Sequence, residues 1–291
     1  MIQHAVVVGG AGAVGALFTE RLLETGVAVT VVDRVAPGRA DERIRRLQGD
    51  VTAVDPALAA ELGRADVVVL ALPDAVALAA VGPVTERLRP DALLVDTLSV
   101  KQPITEAIRA RAPGVQAVGL NPMFAPSLGF PGRPVAAVTV NGGPRVAEFL
   151  ALVRSWGADV VQVDAVEHDR LAGAAQVLTH AAVLGFGLTL AGLGVPAADL
   201  RRIAPPPANT LLALLARIAS GTPEVYRDVQ AANPEAPRVR KALADNLQRL
   251  ASVVESGTEA DFTAVLTELR DYLGDDLAHH RDTCARLFSS V

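Results

Sequence analysis

The 291-residue chain has one cysteine, Cys284, and two lysines, Lys101 and Lys241. A single thiol cannot close an internal disulfide, so the sequence points to a reducing, cytoplasmic setting. The formal net charge of -5 leaves no broad basic field, which argues against nucleic acid as a partner. The chain opens Met1-Ile2-Gln3-His4 straight into Ala5-Val6-Val7-Val8, without the charged and apolar regions of a secretory leader. No cysteine or histidine spacing suggests a metal site, and His279-His280 reads as a surface pair. One long apolar run, Leu171 to Val195, raises the question of a membrane span. It carries Gln176, Thr179 and His180 and has no companion span, so the expectation is no membrane and a helix buried on all sides in a protein core.

What is present is a chain about half hydrophobic and one-fifth charged, long enough for two domains with separate cores. Short β-branched runs alternate with helical patterns in the first half: Ala5 to Val8, Ala28 to Val32, Asp66 to Leu72, Ala92 to Val95 and Gln116 to Gly119. Val135 to Val140 and Asp159 to Val163 read as later additions to the same sheet. Continuous runs of this kind belong to strands covered on both faces, hence a doubly wound α/β Rossmann domain over residues 1–165. Beyond it, Glu167 to Leu193, Ala208 to Ser220, Ala236 to Gly257 and Glu259 to Ser289 read as helices, punctuated by Pro205-Pro206-Pro207 and Gly221-Thr222-Pro223. Residues 166–291 are therefore expected to form an all-helical domain that pairs two copies into a homodimer.

Gly10-Ala11-Gly12-Ala13-Val14-Gly15 follows a strand and opens a helix, the context a G-x-G-x-x-G dinucleotide loop requires. Gly10 permits the tight turn, Gly12 leaves space for a pyrophosphate, and Gly15 lets helix and strand approach. The N–H groups of Ala13 and Val14 begin a helix whose positive end faces the phosphates. Asp33 ends the second strand, where a carboxylate accepts both ribose hydroxyls and repels a 2′-phosphate, favouring NAD over NADP. Arg34 beside it suits an adenine or phosphate contact. Leu72 and Pro73, at the end of a later strand, complete the expected cofactor set.

Three further motifs occur in order: Asp96-x-x-Ser99-Val100-Lys101, Asn121-Pro122-Met123-Phe124 and Val166-Glu167-His168-Asp169. With the glycine loop, His180 and Arg217, they resemble the prephenate (cyclohexadienyl) dehydrogenase family over nearly the whole chain. The resemblance implies NAD-dependent oxidative decarboxylation of a cyclohexadiene dicarboxylate. It implies Arg217 as the carboxylate clamp, with His180 and Gln176 on one helix face and Ser99 orienting the group at ring C4. Lys101 and His168 count with Arg217 and Gln176 as substrate-side candidates, nearer the domain interface or cofactor than the chemistry, and Tyr226 is expected in reach of a substrate pocket. Each has a plainer reading: His168 as a solvated helix start, His180 as a core histidine, Arg217 as an ordinary salt bridge.

Where the family has its catalytic histidine, this chain has Asn121. A carboxamide is no base, but it accepts and donates hydrogen bonds, and Pro122 holds it extended. An amino group at C4 needs a base less than a hydroxyl does, because its lone pair assists hydride departure. That favours 4-amino-4-deoxyprephenate over prephenate as substrate. The alternatives are a slow, water-assisted prephenate dehydrogenase, a non-catalytic nucleotide-binding homologue, or a β-hydroxyacid or imine reductase. For the last, the missing lysine in the helix after Glu167 counts against it.

Overall fold

Strands β1 (His4–Val8), β2 (Ala28–Asp33), β3 (Ile44–Gln48), β4 (Val67–Leu70), β5 (Leu93–Asp96), β6 (Gln116–Pro122), β7 (Pro134–Asn141) and β8 (Asp159–Gln162) form one sheet in the order β3-β2-β1-β4-β5-β6-β7-β8. The coordinates are a computed structural model that describes residues 1–35 and 42–289. The first six strands are parallel, β7 runs antiparallel to β6, and β8 runs parallel to β7. This is the doubly wound arrangement expected from the runs of Val and Leu. Alternate residues of each central strand serve opposite faces. Val7, Val69 and Val95 meet helices α1 (Ala13–Glu24) and α5 (Pro144–Ser155). Val6, Val68 and Leu94 meet α2 (Pro56–Leu62), α3 (Asp74–Thr85) and α4 (Gln102–Arg111). The single tryptophan, Trp156, sits in the first of these layers, with ring centroids 5.0 Å from Phe130 and 5.9 Å from Phe18.

Strand β3 is not legible as a strand in the sequence. Ile44-Arg45-Arg46-Leu47-Gln48 lies at the sheet edge and is at most half-buried, so it needs no continuous apolar run.

Contacts divide the chain into two units, Met1–Ala172 and Gly173–Val291. The expected boundary near residue 165 falls earlier than this because α6 (Ala165–Ala172) buries His168, Asp169 and Ala172 within the first unit. The second unit is helical throughout its described residues. It opens with a π-helical turn, Gly173–Val177, followed by α7 (Leu178–Gly192), α8 (Ala197–Ile203), α9 (Pro206–Ala219), α10 (Pro223–Ala231), α11 (Ala236–Ser256), α12 (Glu259–Leu273) and α13 (Leu277–Phe288). The expected helix from Glu167 to Leu193 is thus interrupted by the wider turn, where a Cβ on Gly173 would come within 3.0 Å of Glu235 Cβ. Helices α8 and α10 are short and begin after Pro196 and at Pro223. Both were hidden in segments that read as breaks. The expected last helix is divided at Gly274–Asp276 by a single 3₁₀ turn.

The apolar run does not behave as a helix buried on all sides. Val183 is the buried residue of α7, while Leu188 is 75% exposed. By length and composition alone, the helical stretch Ala165–Gly192 is long and apolar enough to cross a membrane. Leu193, Ile203, Val254 and Tyr272 are also exposed.

Candidate active site

In an open parallel sheet, ligands bind beyond the carboxyl ends of the strands where the connections diverge to opposite sides. Here that point lies between β1 and β4. Beyond β1 the chain turns through Gly9, whose φ of +80° is accessible to glycine at little cost. A Cβ at Gly10 would lie 2.5 Å from Val31 Cγ1, and one at Gly15 would lie 2.3 Å from the carbonyl oxygen of Gly9. Both glycines are therefore demanded by packing. Gly12 is different: it is exposed, and its Cβ would meet only Gly9 O at 3.3 Å, leaving a cradle that faces the cleft. Ala13 and Val14 begin α1, where backbone N–H groups have no acceptor one turn earlier. Val14 turns its side chain to the core, so its backbone is what it can offer.

Gly12, Asp33, Arg34, Leu72 and Pro73 line one cleft with Asp50. Asp33 Oδ2 accepts from Ala11 N at 3.1 Å, which holds the carboxylate over the glycine loop. Asp50 was not anticipated. Hydrogen bonds from the Thr52 side chain and backbone, with a smaller contribution from the nearby Arg34 charge, keep its carboxyl below the usual range. Two carboxylates beside a cradle of backbone donors fit a dinucleotide with free ribose hydroxyls and oppose a further phosphate.

The carboxyl ends of β5 and β6 carry the next group. Asn121 is the penultimate residue of β6, 3% exposed, with its backbone paired to Ala136. Its Nδ2 lies 3.1 Å from His168 Nε2, and His168 Nδ1 lies 2.8 Å from Asp169 Oδ1. Asp169 also accepts from the backbone N–H of Lys101 at 2.7 Å and of Gln102 at 2.9 Å, at the start of α4. Burial raises the Asp169 pKa, but the hydrogen bonds from His168, Gln102 and Lys101 outweigh it and hold the carboxyl below its ordinary value. His168 is 2% exposed, so the solvated helix start expected for it is wrong. It sits behind Asn121 instead of facing water. The signal was present in the sequence, since Asp169 follows directly, but a neighbour in sequence does not reveal that both face inward.

Lys101 also differs from expectation. It was a candidate for substrate, but it is fully buried, with Nζ bonded to Asp96 Oδ1 and to Leu120 O at 2.9 Å. Its charge is consumed in joining the ends of β5 and β6. Gly119 makes the space, since a Cβ there would lie 2.7 Å from Asp96 Oδ2. Ser99 is half-buried beyond the end of β5.

The helical unit gathers a second set. The rings of His180 and Tyr226 pack edge to face with centroids 5.2 Å apart, and Gly221 leaves room for the tyrosine, since its Cβ would meet Tyr226 Cε2 at 2.5 Å. Burial, and then the charge of Arg217, push the His180 pKa down from 6.5. His180 Nδ1 is buried without a hydrogen-bond partner among the described residues, which does not suit a core histidine tied to a backbone carbonyl. Arg217 is exposed and makes no ion pair among the described residues. Gln176 lies on the π-helical turn. Such turns re-aim side chains and are frequent at functional sites. Among the described residues no group of three metal-ligating side chains occurs.

Known proteins converge on the same architecture. Residues 19–133 match the model described as "Prephenate dehydrogenase, nucleotide-binding domain", and residues 164–268 match "Prephenate dehydrogenase, dimerization domain". The chain is 54% identical over 288 residues to the 4-amino-4-deoxyprephenate dehydrogenase of Streptomyces pristinaespiralis, covering 99% of this chain and 97% of that one. It is 25% identical over 276 residues to a probable arogenate/prephenate dehydrogenase of Methanocaldococcus jannaschii, covering 93% of this chain and 61% of that protein. The crystal structure of prephenate dehydrogenase from A. aeolicus, in complex with hydroxyphenyl propionate and NAD+, superposes with a TM-score of 0.72 at 19% identity, covering 94% of this chain and 97% of that one. This likeness shows a shared fold. With both domain models matched in order and more than half the residues identical to one relative along almost its full length, the chain belongs to the prephenate dehydrogenase family.

Proposed function

We propose that this chain oxidises and decarboxylates 4-amino-4-deoxyprephenate to 4-aminophenylpyruvate with NAD. The observation that carries the reading is Asn121 at the carboxyl end of β6, where it stands for the family's histidine. The 54% identity to a relative named for that substrate supports it.

Bound NAD supplies the hydride acceptor. The C4–H bond of the ring breaks, its electron pair leaves as hydride, and the nitrogen lone pair forms a C=N bond. The C1 carboxylate then departs as carbon dioxide, and its bonding pair flows into the ring. That neutralises the iminium and makes the ring aromatic. Starting from the free amine, no proton has to leave, so a carboxamide suffices where a hydroxyl substrate calls for a base. Asn121 offers an amide oxygen to the substrate N–H, and Ser99 orients the same end of the ring. Arg217, without an ion pair among the described residues, is assigned to a substrate carboxylate. A neutral His180, with Gln176 and Tyr226, supplies hydrogen bonds to the rest of the molecule. The glycine loop, Asp33 and Asp50 hold the cofactor. The exposed apolar faces of the helical unit fit a second copy of the chain better than lipid, because they belong to residues that match a dimerization domain. The active form is then a cytoplasmic homodimer with residues 1–172 as cofactor domain and 173–291 as substrate and pairing domain.

The test follows NADH formation with purified protein, offering 4-amino-4-deoxyprephenate and prephenate in parallel. The expected result is a kcat/KM at least about tenfold higher for the amine. Asn121→His should raise prephenate turnover by about 10²-fold, the low end for a positioned base. A wild-type preference for prephenate would overturn the assignment.

A further inference from the structure

We propose that His168 is a positioning residue that aims the Asn121 carboxamide, turning its oxygen rather than its nitrogen toward the reacting substituent. The inference rests on the reading above that this amide faces the group at C4.

The two ends of a carboxamide are nearly identical in shape and opposite in function, so packing alone does not choose between them. Here the choice is made by a chain of hydrogen bonds with one polarity. It starts at α4, where the backbone N–H groups of Lys101 and Gln102 donate to Asp169. Gln102 Nε2 donates to the same carboxylate at 3.1 Å. An ionised carboxylate only accepts, so His168 Nδ1, 2.8 Å away, must be the donor. In the neutral ring that leaves Nε2 with a lone pair and no hydrogen. The Asn121 nitrogen, 3.1 Å from Nε2, then donates to it. The opposite amide orientation would set oxygen against this lone pair in a place where neither group reaches water, since Asn121 is 3% and His168 2% exposed. The β6 backbone is fixed by its pairing to β7, so the side chain has no other way to relieve the clash. The Asn121 oxygen is left without a protein donor among the described residues, ready to accept one N–H.

This orientation bears on substrate choice. The reacting amine has one lone pair and needs it for the C=N bond, so it can only donate an N–H; the reversed amide would donate to that lone pair and hold it back. A hydroxyl oxygen has two lone pairs, so it can accept from the reversed amide with one and keep the other for hydride departure. His168 therefore controls the ratio of amine to hydroxyl turnover without touching the substrate.

The test compares two substitutions. His168→Asn keeps a donor to Asp169 but loses the acceptor at the Nε2 position. His168→Gln keeps an acceptor at that reach. Each is made in the wild-type and the Asn121→Ala background, and kcat/KM is measured for 4-amino-4-deoxyprephenate and prephenate, with NAD affinity by calorimetry as the control for folding. In the wild-type background His168→Asn should lower the amine-to-hydroxyl ratio about tenfold, the worth of one hydrogen bond to substrate. His168→Gln should hold the ratio within about threefold. In the Asn121→Ala background neither should change it, because the amide through which His168 acts is gone. Equal changes in both backgrounds, no change in either, or equal effects of the two substitutions would overturn the proposal. The coupling is read as a difference between backgrounds, so it stands or falls whichever substrate the wild type prefers. A wild-type preference for prephenate would instead refute the substrate reading.

Discussion

Lys101→Met offers the sharpest test of how the first unit is held together. The side chain is fully buried, bonded to Asp96 Oδ1 and to Leu120 O at 2.9 Å. Methionine fills a similar volume but leaves Asp96, 1% exposed, as an uncompensated carboxylate. Breaking such a pair from one side costs about 3–5 kcal/mol. Among the described residues Asp96 Oδ2 has no partner, and without Lys101 Oδ1 keeps the N–H of Leu98 at 3.2 Å, so little nearby can take over the lost bond. Adding Asp96→Asn removes the stranded charge, and the double variant should recover to within about 2 kcal/mol of wild type, the cost of an imperfectly paired polar group. The assay is urea unfolding followed by fluorescence. Trp156 is the only tryptophan and lies in the core of the first unit, so the transition reports that unit directly. Two results would refute the reasoning: a loss below about 1 kcal/mol in the single variant, or wild-type stability with a raised KM for substrate. The second would return Lys101 to the substrate role that its sequence motif suggested.

Other substitutions test the cofactor loop and the Asp169 junction. Gly15→Ala places a Cβ 2.3 Å from a backbone oxygen. It should weaken NAD binding at least about tenfold and destabilise the unit by about 1–3 kcal/mol. Asp33→Asn should shift the NAD-to-NADP preference about tenfold toward NADP, read from kcat/KM with each cofactor, as one charge-assisted bond and one repulsion are lost. Because Asp169 is held below its ordinary 3.8, it binds fewer protons folded than unfolded. Its contribution is complete above that value and is lost as pH falls through the folded pKa. Urea midpoints measured downward from ~pH 6 should therefore fall less steeply in Asp169→Asn than in wild type; parallel curves would contradict the assigned hydrogen bonds.

Sequence and structure agree most closely where local chemistry decides. Val67-Val68-Val69-Leu70 is covered on both faces, so its pattern is continuous and legible. Gly10 and Gly15 are required by contacts within a few residues of the turn and with the neighbouring strand, and the motif announces them. The edge strand β3 and the short helices α8 and α10 escaped because each is stabilised by what lies beside it rather than by its own composition. Lys101 was misjudged for a related reason. A cation in a motif reads as a ligand until its partner, Asp96, is seen to take the charge. His168 looked solvated between Glu167 and Asp169, since a helix start with three polar residues gives no sign of which face turns inward.

By itself the sequence determined the alternation of strands and helices, the nucleotide loop and the change to an all-helical second half. These are properties of residue type and spacing, which local backbone preference and hydrophobic periodicity translate directly. Only the tertiary structure decided which way those residues face. It buried Lys101 against Asp96, set His168 and Asp169 behind Asn121, and left the apolar run of α7 exposed. Each of these depends on pairs distant in the chain, such as Asn121 with His168, and nothing in residue spacing encodes a hydrogen bond between a strand end and a helix that follows two strands later.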